Sequence, residues 1–305
     1  MIDLHVVEAT AKDAADVVDV IHAAFGARPP MNPPSTALQE TVASVEQAVE
    51  SGGGLLATVD GHAAGTMLFV EQDGWLHLRR VSVHPRHQHR GVATAMVGCA
   101  EEVAEVRGLD GVRLIGRVEL PTTLAFWRRR GYLEAERNEP DVHFAKRLPV
   151  ELAAPTADDM RELGVRLAGV LRAGDLVLLA GELGAGKTTL TQGIGAGLGI
   201  RGDVTSPTFV IARVHPSLDS GPALVHVDAY RLGGVLELDD LDLDASLDEA
   251  VTVVEWGEGL AEGLADDRLE VVLTRTVGAD GDERWVRIVP VGRRWLDTPL
   301  RKFRS

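Results

Sequence analysis

The chain has 305 residues, 45% of them apolar and 25% charged, with a formal net charge of −15 and one cysteine, Cys99. That length carries two domains with a core each, while the single cysteine excludes an internal disulfide framework and the acidic balance excludes broad electrostatic binding to nucleic acid. No apolar run approaches bilayer length and the start lacks a signal-peptide pattern, so a cytoplasmic location and no membrane partner are expected.

In chain order, Asp13–Phe25 reads as an amphipathic helix. Leu55–Val59 and Ala63–Val70 read as strands joined through Asp60-Gly61, a hairpin signal. A third strand, Leu76–Val83, runs into Gln88-His89-Arg90-Gly91-Val92-Ala93 and then a helix from about Thr94. A turn of this kind between strand and helix presents backbone N–H groups to a pyrophosphate. The strand Val142–Arg147 leads to Leu148-Pro149, the strongest boundary, giving domains 1–148 and 149–305. Both halves alternate strand-like and helix-like segments, so both are expected to be α/β.

Past the boundary, Val150–Ala153 is strand-like, and Thr156 caps a helix with Asp159 three residues on. Met160, Leu163, Leu167, Val170 and Leu171 then recur at helical spacing. Leu176–Ala180 reads as a buried strand, Gly181–Thr188 as G-x-x-x-x-G-K-T, and Thr189–Leu198 as a helix ended by Gly199. This context makes the loop a phosphate site: its glycines aim N–H groups at an anion, Lys187 reaches the β- and γ-phosphates, and the Thr188 hydroxyl ligates Mg²⁺. Asp228 and Glu255 end the apolar strands Leu224–Asp228 and Val251–Glu255 and offer carboxylates for the metal or the attacking water; the sequence leaves open which does which. Thr205–Phe209 is a hydroxyl-rich turn fixed by Pro207.

Some features are read as structural. Asp240–Asp244 resembles the start of a calcium loop but has Ala245 where the sharp turn needs glycine. His226 shares a strand face with Asp228 and is expected to be a local hydrogen-bond partner. His84, His87 and His89 are expected to face solvent or phosphate rather than a metal. The basic tail Arg293–Arg304 is expected to be solvated and partly disordered.

The loop GELGAGKTT, the segment TSPTF, His226-Val-Asp-Ala-Tyr-Arg231 and Glu255-Trp256 together resemble the TsaE-type ATPase of the bacterial tRNA threonylcarbamoyladenosine-synthesis complex, over about residues 150–290. The resemblance implies a P-loop NTPase fold that binds ATP and Mg²⁺. It implies work beside a kinase-like transferase subunit and its paralogous partner, reaching tRNA through that complex. By motif match, Glu182, Leu183, Gly184, Ala185, Gly186, Lys187, Thr188, Thr189 and Trp256 line the nucleotide. Thr188, Asp228 and Glu255 serve the metal, and Lys187, Asp228, Glu255 and Thr208 serve the hydrolysis.

The first half resembles GNAT-type N-acetyltransferases, on the turn Gln88–Ala93 and the segment Ala125-Phe-Trp-Arg-Arg-Arg-Gly-Tyr132. This implies a mixed α/β domain binding acetyl-CoA, with Val81 and Val83 flanking the thioester and Gln88, His89, Arg90, Gly91, Val92 and Ala93 holding the pyrophosphate. Trp127 stands where many members place a tyrosine that protonates the leaving thiolate, and indole has no acidic group for that. Glu71 or His77 as base, and Tyr132 as acid, are the replacements considered. The competing reading is a P-loop small-molecule kinase fused to a non-catalytic acyl-CoA sensor.

Overall fold

The computed structural model describes residues 2–207, 211–231, 248–278 and 281–304, and the chain divides into two compact units, Met1–Leu148 and Pro149–Ser305. Both are α/β, as the alternating pattern implies.

The first unit contains β1 (Leu4–Glu8), α1 (Ala14–Gly26), α2 (Val42–Gly52), β2 (Gly54–Val59), β3 (His62–Gln72), β4 (Trp75–Val83), α3 (Val92–Val106), β5 (Gly111–Arg117), α4 (Pro121–Arg128), β6 (Leu133–Asn138) and β7 (Asp141–Arg147). Its sheet order is β1-β2-β3-β4-β5-β7-β6, antiparallel except for β4 and β5. A parallel pair needs a crossover, which α3 supplies. Asp60 and Gly61 both take positive φ, as the two-residue turn between β2 and β3 demands. β4 pairs with β5 only from Trp75 opposite Gly111 to Leu78 opposite Leu114. Beyond that point β4 is irregular, with Arg80 at φ 53°, and runs on to Val83 without β5. The two central strands therefore separate, leaving backbone groups between them outside the ladder.

The second unit contains β8 (Val150–Ala153), α5 (Ala157–Ala168), β9 (Leu176–Ala180), α6 (Lys187–Leu198), β10 (Ala212–His215), β11 (Ala223–Asp228), β12 (Ala250–Glu255), β13 (Arg268–Gly278) and β14 (Gly281–Val291). The sheet order is β10-β11-β12-β9-β13-β14-β8, and β11, β12, β9 and β13 run parallel. The Thr156 cap is reciprocal: its hydroxyl accepts the Asp159 N–H at 3.1 Å and the Asp159 carboxylate accepts the Thr156 N–H at 2.9 Å.

Glycines bring α5 and α6 together. A Cβ at Gly193 would stand 2.2 Å from the Arg161 carbonyl oxygen, and one at Gly164 would stand 2.4 Å from that of Leu190. Gly193→Ala is expected to lower stability by about 1–3 kcal/mol through overpacking, read as a lower urea midpoint.

The carboxyl-terminal tail departs from its expected state. Arg293–Trp295 and Leu300–Arg304 form 3₁₀ turns, with Trp295 and Leu300 fully buried. Arg294 donates to the Asp175 carboxylate at 3.1 Å and to the Val170 carbonyl at 2.8 Å. Its apolar residues, spaced among the arginines, pack the tail onto the core, so charge content alone gives the wrong picture. Among the described residues no helix is long and apolar enough to cross a membrane.

Candidate functional site

In the second unit the parallel register places three strand ends side by side: Asp228 pairs with Glu255, and Glu255 with Leu179 one residue before β9 ends. Ligands in open α/β sheets bind at this edge. β9 opens directly into Gly181–Gly186, and α6 begins at Lys187. Gly181 has φ 139°, and a Cβ there would meet the Leu273 carbonyl at 2.4 Å, so only glycine fits. Gly184 and Gly186 also take positive φ, and Gly186 is the N-cap of α6 with no side-chain cap on the helix's first N–H groups. Leu183 stands 89% exposed at the loop tip, while Ala185 packs into the core.

Lys187 is buried, and its Nζ donates to the carbonyls of Gly181 at 2.6 Å and Glu182 at 3.0 Å. It also lies 3.7 Å from the centroid of the Trp256 ring. Burial pulls the ammonium below the usual lysine range, opposed by the charges of Glu255 and Asp228. Trp256 follows β12 at φ 60°, a left-handed conformation costly for a bulky residue, and its ring meets Tyr230 edge-on.

Glu255 joins two elements. Its Oε2 accepts from the Thr188 hydroxyl at 3.3 Å, and its Oε1 bonds the His226 Nε2 at 2.9 Å. His226 is fully buried and Glu255 is 3% exposed. The expected local partner of His226 is thus Glu255 on the neighbouring strand, because diagonal positions on one sheet face meet. Asp228 accepts from the Ser206 hydroxyl at 3.2 Å and from the Tyr230 backbone at 3.1 Å. Thr188, Glu255 and Asp228 form an oxygen-donor set of the kind a hard cation such as Mg²⁺ takes, beside a glycine cradle suited to phosphates. Thr208 lies outside the described residues, as does Asp240–Asp244. Glu182 lies in the loop between β9 and α6, and Thr189 in the first turn of α6.

In the first unit, Val81 and Val83 lie on the part of β4 that has separated from β5, and Gln88–Gly91 leads into α3, which Val92 and Ala93 begin. His89 and Gly91 take positive φ there, and Gly91 caps α3 with no side-chain bond. The Arg130 guanidinium stacks on Phe126 at 3.6 Å and donates to the Thr94 hydroxyl, adding positive charge beside the turn. This glycine turn and cation fit a pyrophosphate. The His84 and His87 rings meet edge-on at 5.8 Å.

The acid–base replacements fare poorly. Tyr132 is 1% exposed and donates to Glu101 at 3.0 Å, and Glu101 in turn accepts from Lys146 at 2.8 Å. Burial, then Glu101, hold the Tyr132 pKa well above the usual tyrosine value, and its hydroxyl is already engaged with Glu101 in the core. Trp127 is buried against Phe126 and Tyr132. Glu71 pairs with Arg107, and His77 sits where β4 is still paired with β5, before the strands separate.

The family described as Threonylcarbamoyl adenosine biosynthesis protein TsaE matches residues 154–284, and the acetyltransferase (GNAT) family matches residues 21–132. A curated relative, the tRNA threonylcarbamoyladenosine biosynthesis protein TsaE of Streptomyces coelicolor, is 67% identical over 138 residues, covering 45% of this chain and 93% of its own length. Among solved structures, YdiB of Bacillus subtilis has 30% identity and a TM-score of 0.41, over 51% of this chain and 94% of its own. The PaiA N-acetyltransferase of Thermoplasma acidophilum, in complex with coenzyme A, has 13% identity and a TM-score of 0.44, over 48% of this chain and 99% of its own. The chain belongs to the TsaE family and carries, ahead of its TsaE domain, a domain of the GNAT acetyltransferase family.

Proposed function

We propose that residues 149–305 form a Mg²⁺-dependent ATPase serving threonylcarbamoyladenosine synthesis on tRNA, in the cytoplasm, with the transferase subunit and its paralogue as partners. Residues 1–148 form an acetyl-CoA-dependent N-acetyltransferase. The observation that carries the first reading is the meeting of Lys187, Thr188, Asp228 and Glu255 at the carboxyl ends of β9, β11 and β12.

The residues divide the work by their bonds. Lys187 exchanges the Gly181 and Glu182 carbonyls for phosphate oxygens, and Trp256 keeps its ammonium near the loop. Thr188 and Glu255 would hold Mg²⁺, which would supply charge neutralisation at the phosphates. Asp228, aligned by Ser206, orients the attacking water. The loop N–H groups, fixed by positive-φ glycines, stabilise charge on the transferred phosphoryl group.

The test is hydrolysis by the full chain with and without Mg²⁺, then threonylcarbamoyladenosine formation with the transferase subunits added. Hydrolysis indifferent to EDTA overturns the reading. Asp228→Asn is expected to lower kcat by about 10²-fold or more, with nucleotide affinity little changed, as for loss of a water-orienting base. For the first unit, calorimetry with acetyl-CoA is expected to show binding that Gly91→Val abolishes, because a β-branched residue resists the positive φ at that position.

A further inference from the structure

The segment between α1 and the 3₁₀ turn Thr36–Gln39 spans the place where β4 and β5 separate. On the β4 side, Arg28 Nη2 donates to the Val81 carbonyl at 3.1 Å. On the β5 side, Arg117 donates to the Asn32 carbonyl at 2.8 Å and to that of Pro33 at 3.3 Å. The strap therefore roofs the gap in which Val81 and Val83 stand.

The cations in and beside this strap are not equally provided for. Arg80 is paired with Glu40 at 2.7 Å, and Arg117 with Glu119 at 2.7 Å, which holds the Glu119 pKa at about 2. Both carboxylates are thereby committed. Arg28 is half-buried, stacked on Phe25 at 3.6 Å, and forms no ion pair among the described residues. Burial, with no carboxylate near enough to offset it, lowers its pKa to about 10. A desolvated guanidinium with one carbonyl partner keeps most of its donors unused, and such a charge is retained at a cost unless an anion completes it. The cofactor's phosphates are assigned to the turn at Gln88–Ala93, at the other end of the separated stretch of β4, so they do not supply that anion.

We propose that Arg28 is the specificity-determining residue for the acetyl acceptor, and that the acceptor is a primary amine carrying a carboxylate close to it. This rests on the acetyltransferase reading above. The carboxylate takes the free edge of the guanidinium, and the fork geometry fixes its plane. The amine nitrogen then bonds to the acetyl carbonyl carbon at Val81. The carbon–sulfur bond breaks with its electron pair on sulfur, and the proton lost from nitrogen ends on the coenzyme A thiol. Because the residue acts on one substrate only, acetyl-CoA binding and acceptor choice are separable.

The experiment measures thiol release by the full chain from acetyl-CoA with matched acceptors: glycine against glycinamide, and Ala-Glu-Ala-amide against Ala-Gln-Ala-amide. The carboxylate member of at least one pair is expected to be favoured about tenfold or more in kcat/KM. Arg28→Gln is expected to erase that ratio, Arg28→Lys to keep its direction, and Arg28→Glu to reverse it for Ala-Lys-Ala-amide against Ala-Glu-Ala-amide. A structural anchor alone would lower both members of a pair equally, and a ratio unchanged in Arg28→Gln overturns the proposal. So does equal use of both members by the unaltered chain, or acetyl-CoA binding with none of these acceptors used. Failure of the unaltered chain to bind acetyl-CoA in calorimetry overturns instead the acetyltransferase reading.

Discussion

Lys187→Ala is expected to lower ATP hydrolysis by about 10²–10³-fold, the usual consequence of removing one fixed charge from a developing phosphoryl transition state. The side chain is poised for that role: it is buried, it is desolvated enough to lie below the ordinary lysine pKa, and loop carbonyls and the Trp256 face hold it. Its loss also removes two hydrogen bonds from within Gly181–Glu182, so loop order and chemistry must be measured apart. Phosphate release reports chemistry, and binding of a fluorescent ATP analogue reports the cradle. A variant that hydrolyses ATP at the unaltered rate would remove the assignment of hydrolysis to the Gly181–Thr188 loop. In the reconstituted complex, the same variant is expected to halt repeated rounds of threonylcarbamoyladenosine formation.

The second large effect belongs to His226. Removing one partner of a buried hydrogen-bonded pair leaves the other polar group under-satisfied, which costs about 1–3 kcal/mol. His226→Ala leaves the Oε1 of Glu255, itself 3% exposed, without the imidazole, while Oε2 keeps the Thr188 hydroxyl. The expected result is a large fall in urea midpoint together with weakened Mg²⁺ dependence, because Glu255 no longer faces Thr188 in a fixed rotamer. His226→Gln keeps a donor on that face and is expected to recover most of the stability. Replacing His226 and Glu255 together by apolar residues of similar volume is expected to restore stability while leaving hydrolysis lost. That pattern separates the structural share of the pair from its share in the proposed metal site. If the double variant remained as unstable as His226→Ala, an unsatisfied buried oxygen on Glu255 would not be the cause.

Local chemistry was legible along the chain. The P-loop glycines, Lys187 and Thr188 are contiguous, so their spacing alone specifies a strand, a cradle and a helix start. The same holds for the Thr156 cap, the Asp60-Gly61 turn and the turn at Gln88–Ala93, each set by backbone preferences of a few neighbouring residues. The ends of β11 and β12 also exposed Asp228 and Glu255 as candidates, since an acid after an apolar run has few other places to be.

Long-range pairings were not legible, because hydrophobic pattern fixes which face a residue occupies but not which strand lies beside it. The different partners of Asp228 and Glu255, on which the proposed division of their roles rests, come from Ser206 and Thr188 approaching from different elements. His226 could be placed on the site face but not given its partner across the sheet. Tyr132 looked available as an acid until its hydroxyl was found on Glu101 in the core. Charge content suggested a loose tail, yet Trp295 and Leu300 supply enough buried apolar surface to dock it. The sequence by itself determined that the chain joins a TsaE-like nucleotide-binding half to a GNAT-like half, because each cradle is a short contiguous motif. Tertiary structure alone decided which acids share the edge proposed for the metal and which arginine beside Val81 has no ion pair among the described residues, because both depend on register and burial.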